Sequence, residues 1–107
     1  MAARRRRVVW TRNASVALNE VLAHIAEESL SGAQHILGAT LDLAASLETL
    51  SERGRVVPEI GDAKVREVFL HRYRLIYEVA AEEVRILAFL HGALDFARLK
   101  KTQVQRP

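Results

Sequence analysis

A chain of 107 residues, half of them hydrophobic and 27% charged, has the size and balance of one soluble globular domain that can bury a core without staples. It contains no cysteine, which excludes disulfides and thiol chemistry. The net charge of +3 is unevenly spread: from Asn13 to Glu52 there is no Lys or Arg, only the acids Glu20, Glu27, Glu28, Asp42, Glu48 and Glu52. That polarity predicts an acidic face and a basic face, the latter suited to a nucleic acid, an acidic protein or an acidic peptide, or simply to water.

No apolar run approaches the ~18 residues of a membrane-spanning helix. The basic start, Arg4 to Arg7, is followed only by Val8-Val9-Trp10, too short for the apolar core of a signal peptide. The expected location is the cytoplasm, without membrane association.

Residues 6–11 (RRVVWT) read as a strand, with Trp10 as its core anchor, and Thr11 or Asn13 as the N-cap of a helix. Over residues 13–28, Ala14, Ala17, Leu18, Val21, Leu22 and Ile25 recur at helical spacing, opposite Asn19, Glu20, Glu27 and Glu28. The segment Ser29 to Gly32 interrupts that helix. Ser31 with Gln34 forms a capping-box pattern, which predicts a second helix to about Arg53 with Gly54 in the left-handed position past its end. Its apolar face holds Ala33, Ile36, Leu37, Thr40, Leu43, Ala44, Leu47 and Leu50. A break this short folds the two helices into an antiparallel hairpin.

Residues 54–64, with Gly54, Pro58 and Gly61, read as a loop. The period then becomes two: 65–70 (VREVFL), 73–79 (YRLIYEV) and 84–91 (VRILAFLH) form a meander joined at His71-Arg72 and Ala80 to Glu83. In the middle strand Tyr73, Leu75, Tyr77 and Val79 share one face, and Arg74, Ile76 and Glu78 the other. Residues 92–99 form a short helical turn, and Lys100 to Pro107 a tail. The expected fold is α+β, in the order β-α-α-β-β-β: a helical hairpin packed on an antiparallel sheet of about four strands. The first strand reaches a parallel partner only through the two-helix crossover. The expected domain is single, spanning 1–107 with its core at about 6–97.

Four segments carry a resemblance. The chain opens with VVWTRNASVALNEVLAHIAEES, a short strand running into a capped helix. It continues with Val65-Arg66-Glu67, then YRLIYEV from Tyr73 to Val79, and closes with Leu90-His91-Gly92-Ala93-Leu94-Asp95-Phe96. In this order and spacing the segments resemble the RelE/ParE toxin superfamily of type II toxin–antitoxin systems, on its ParE-like branch, over roughly residues 6–97. The resemblance implies a toxin neutralised by a cognate antitoxin, with operator DNA reached only through that antitoxin. ParE-like members poison DNA gyrase by binding it. RelE-like members cut messenger RNA in the ribosomal A site.

The second activity sets chemical demands: a base or a charge-tuned substitute, an acid, and cations on the phosphate. RelE-like enzymes supply lysines on the first meander strand, an arginine on the second, and an arginine and a tyrosine near the C-terminus. Here the first strand offers Arg66, with Lys64 just before it, and Arg74 matches the second strand. Leu94 stands where an arginine is common, and Phe96 cannot transfer a proton. The resemblance therefore points to a gyrase-binding inhibitor and not an enzyme. The alternatives are a ribonuclease using Arg74 and Arg66, or, because Leu94 departs from the usual "ARD", a non-toxic homologue that still binds antitoxin.

Candidate contacts with target or antitoxin are Arg66, Arg72, Arg74, Tyr73, His91, Asp95 and Phe96. Each has a plain structural alternative. Arg66 and Arg74 can pair with Glu67 or Glu78, His91 can bond a carbonyl at its strand end, and Tyr73 and Tyr77 can be sheet-face residues rather than stacking platforms. Arg4 to Arg7 are a tail or a phosphate-contacting arm. No cofactor is expected, and His24, His35, His71 and His91 lack the spacing of a metal site.

Overall fold

The computed structural model describes residues 5–92. The elements are β1 (Arg7–Trp10), α1 (Arg12–Ala26), α2 (Leu30–Ser46), β2 (Arg55–Val56), β3 (Val65–Leu70), β4 (Tyr73–Val79) and β5 (Glu83–His91). The expected helical turn beyond Gly92 lies outside the described residues.

The α+β class and the helical hairpin are as the sequence predicts, but the sheet is mixed and has five strands, in the order β1-β5-β4-β3-β2. β1 runs parallel to β5, Arg7 opposite Glu83 and Trp10 opposite Ile86, across the two-helix crossover. The additional strand is β2, which pairs antiparallel to β3 through Arg55–Glu67 and Val56–Arg66. Two residues cannot show a period, so this strand is silent in the sequence.

Thr11 starts α1. Its Oγ1 accepts from the Ala14 N–H at 3.2 Å, and its hydroxyl donates to the Ile86 carbonyl at 2.8 Å, so one residue both caps the helix and ties it to β5. The cap of α2 is Ser29, not Ser31: Ser29 has an extended backbone and accepts from the Gly32 N–H at 2.9 Å. The helix ends at Ser46, about two turns before the expected Arg53. Ser46 Oγ donates to the Leu43 carbonyl, and the chain tightens as the Leu47 and Glu48 N–H groups bond the carbonyls of Ala44 and Ala45. Leu50, expected on the buried face, is 54% exposed.

Gly54 is not a left-handed cap. Its N–H donates to the buried Tyr77 Oη at 2.9 Å, and a Cβ there would stand 2.5 Å from the Glu67 carbonyl oxygen. Glycine is required by close approach, not by φ. The left-handed residue of the β3–β4 turn is His71, at φ 55°.

Both sheet faces are covered. Ala14, Leu18, Ala44 and Leu47 of the helical layer meet Val68, Leu75, Tyr77, Val84, Ile86 and Phe89. On the opposite face Val57, Val65, Ile76, Leu87, Ala88 and Leu90 cluster with Ile60. This explains why β5 reads as a nearly continuous apolar run: a strand buried on both sides loses its alternation. The register between β4 and β5 shifts at Ile76/Tyr77, where Leu87 is the extra residue of a bulge.

Candidate functional site

The alternation of β4 separates its candidate residues. Tyr73 faces the helices at the end of the sheet formed by the β3–β4 turn. Its ring stacks on Phe89 at 5.1 Å, and His91 meets it edge-on at 5.6 Å. The pairing of Tyr73 with His91 across β4 and β5 places these side chains together. Above them α1 contributes Ala17, Glu20, Val21 and His24, and the seven residues line a cleft of about 220 Å³. Arg72 is exposed in the adjoining turn. Three sequence candidates, Arg72, Tyr73 and His91, thus gather at one end of the molecule.

Arg74 faces the other way and is 4% exposed. Its Nε donates to Glu67 Oε1 at 2.7 Å, and Nη2 donates to Glu59 Oε1 at 3.1 Å. Glu67 is fully buried, and its second oxygen accepts from Arg55 Nε. Arg55 in turn lies 5.4 Å from the centre of the Phe69 ring. Two arginines and two glutamates therefore interlock across β2, β3, β4 and the loop between β2 and β3. Burial alone would lower the Arg74 pKa, but hydrogen bonds to Glu59 and Glu67 carry it above its ordinary value. The hydrogen bond from Arg74 holds the Glu59 carboxyl below its ordinary value.

Arg66 lies elsewhere again, on the helix-facing side of β3 toward the opposite end of the sheet. Its Nη1 donates to the Gly54 carbonyl at 2.9 Å. Arg66 and Arg74 are therefore on opposite faces and do not converge. Asp95, Phe96 and Leu94 lie outside the described residues. Among the described residues no group of three or more metal-binding side chains is assembled, and no helix is long and apolar enough to cross a membrane.

Comparison with known families decides the lineage. Residues 8–96 match the family model described as the ParE toxin of the type II toxin–antitoxin system parDE. The chain belongs to the ParE toxin family. A solved chain from the chromosomal ParDE TA system of P. aeruginosa superposes with a TM-score of 0.69 at 18% identity, over 84% of this chain and 99% of that one. At that identity the likeness is one of fold. No curated protein matches by sequence.

Two features of this ParE-family chain carry little signal in the sequence. Glu59 and Arg55, which complete the network around Arg74, sit in and beside a loop without periodicity. The Glu67–Arg74 contact is signalled by the two-residue turn: Arg74 pairs with Phe69, which places Glu67 diagonally beside it on the same face. Phe89 and the α1 residues of the cleft, Glu20 and His24, require the crossing of α1 over β5, which no local pattern specifies.

Proposed function

We propose that this chain is the toxin of a type II toxin–antitoxin module, that it acts in the cytoplasm by binding DNA gyrase rather than by catalysis, and that a cognate antitoxin neutralises it. Membership of the ParE family supports the toxin role. The observation that favours binding over ribonuclease chemistry is the state of Arg74. Arg74 is 4% exposed and its guanidinium is enclosed by Glu67 and Glu59, which keeps a phosphate from it. Releasing it would leave the buried Glu67 carboxylate short of a partner, a cost of about 3–5 kcal/mol. Arg66, the other cation a ribonuclease would need, is on the opposite face.

For the antitoxin we propose an acidic, partly helical segment that folds on binding, from the open reading frame beside this one. An apolar anchor of that segment seats against Tyr73, Phe89 and Val21, while its acidic residues meet Arg72, exposed in the adjoining turn. The anchor supplies most of the energy, and the charges mainly steer association. Operator DNA is reached only through the antitoxin.

Controlled expression of this chain alone is expected to arrest growth with signs of DNA damage. Co-expression with the neighbouring reading frame is expected to restore growth and give a complex that co-elutes on size exclusion. Normal growth during expression of the chain alone would contradict the toxin role. Failure of the two proteins to co-elute would contradict the antitoxin assignment.

A further inference from the structure

At the end of the sheet opposite Tyr73, the start of β1, the loop before β3 and the β4–β5 turn enclose a second cleft, of about 350 Å³. Its cationic lining is Arg6, Lys64 and Arg66, with the single carboxylate of Glu52. The remaining walls are small or aliphatic: Ala63, Val79, Ala80 and Ala81. A volume at the lower end of the range for small-molecule sites, with short alanine and valine side chains between the charged ones, leaves room for a ligand.

The charges in this cleft differ from those elsewhere on the sheet. Arg7, Arg55, Arg74 and Arg85 each form an ion pair with a glutamate. Among the described residues Arg6, Lys64 and Arg66 form none. The two guanidiniums are held by neutral oxygens. Arg6 donates from Nε to the Ala80 carbonyl and from Nη1 to Ser51 Oγ, both at 2.8 Å, and Arg66 donates from Nη1 to the Gly54 carbonyl at 2.9 Å. Such bonds fix the position of a cation without neutralising it. Each guanidinium has five N–H donors and keeps some for a ligand. Among the described residues, three fixed or adjacent cations and one carboxylate leave the lining at a formal +2.

We propose that this cleft binds a small phosphate monoester. Its charge near neutral pH, about −1.5 to −2, matches the excess in the lining. A lone carboxylate would leave half of that excess unmet. A continuing nucleic-acid strand would bring one charge per phosphate and would pass the exposed Asp62 on the flanking loop. Among the described residues of the lining none offers an aromatic ring to stack a nucleobase, and the short aliphatic walls suit the body of a compact polyol.

The test is a titration of the full chain, followed through its backbone amides, with ribose 5-phosphate, inorganic phosphate and ribose. Ribose 5-phosphate is expected to shift the amides of Lys64, Ala80 and Ala81 saturably, inorganic phosphate more weakly, and ribose not at all. Lys64 is exposed and its side chain makes no described contact, so Lys64→Glu retains the fold. It is expected to weaken binding about tenfold or more, through loss and reversal of a charge. Glu52→Gln removes the opposing carboxylate and is expected to tighten binding roughly threefold, a gain that a merely structural role for Glu52 would not produce. Absence of saturable shifts with either phosphate would overturn the proposal. So would equal shifts with ribose, or affinities unchanged in both variants. Equal affinity for phosphate and ribose 5-phosphate would overturn the polyol assignment.

Discussion

Arg74→Ala tests the reading of Arg74 as a buried structural cation. The side chain is 5% exposed, its partner Glu67 is fully buried, and its second partner Glu59 is about one-third exposed. Removing one member of a buried pair costs about 3–5 kcal/mol because the other is left desolvated. Glu67 would keep Arg55, but that side chain is 63% exposed and compensates only partly. The lower end, about 3 kcal/mol, is therefore expected. Against a total stability of about 5–15 kcal/mol this is a large fraction, and it corresponds to a midpoint fall of roughly 10–15 °C. Replacing both partners, as Arg74→Met with Glu67→Leu, removes the stranded charge and is expected to recover most of the loss. Urea and thermal unfolding of the single and double variants measure both quantities. A loss under about 1 kcal/mol in Arg74→Ala, or a double variant as unstable as the sum of its singles, would refute the reasoning.

The pH dependence arises from the same network. The folded-state pKa of Glu59 is depressed below its ordinary 4.5, so its contribution is present above that value and is lost as pH falls through the folded pKa. Glu59→Gln should flatten the decline of stability below about pH 4.5; an unaltered acid limb in unfolding titrations would count against the pairing. Tyr77→Phe removes the acceptor of the Gly54 N–H and should cost about 1–3 kcal/mol in urea unfolding, and Gly54→Ala, which drives a Cβ into the Glu67 carbonyl, should cost about as much; neutrality of either would show that this corner can relax. Tyr73→Ala should weaken antitoxin binding about 30-fold, as loss of a buried aromatic anchor does, while Tyr73→Phe stays within about threefold. Calorimetry giving no loss for Tyr73→Ala would remove Tyr73 from the interface, and equal losses for the two variants would overturn its role as an aromatic anchor.

The legible parts of the fold are those with a period. Alternation and the i, i+3, i+4 spacing set the meander strands and the two helices, and alternation alone puts Arg74 on the face opposite Tyr73. The parts that differ from expectation have no period to read. β2 is two residues long, and its pairing depends on Gly54 passing close beneath Tyr77. The early end of α2 is decided by a serine bonding back to its own helix, against an apolar pattern that runs on to Leu50. The preference for Ser29 over Ser31 as cap depends on where α1 releases the chain. Site residues are legible as types but not as neighbours. Arg66 and Arg74 are conspicuous in the strand motifs, yet the pleat sends them to opposite faces; of the partners of Arg74, Glu67 lies on a strand that the alternation marks, while Glu59 comes from a loop without a period. The Glu67–Arg74 contact follows from the register of the β3–β4 hairpin, whereas the Tyr73–His91 pairing depends also on the bulge at Ile76/Tyr77.

The most direct test of a toxin that binds gyrase and does no chemistry is a paired assay of the purified chain. One arm follows supercoiling of relaxed plasmid by gyrase, and the other follows message cleavage on translating ribosomes. Concentration-dependent loss of supercoiling, relieved by the antitoxin, with message left intact is the expected result. Codon-dependent cleavage that disappears in a folded Arg74→Ala variant, with gyrase unaffected, would contradict it.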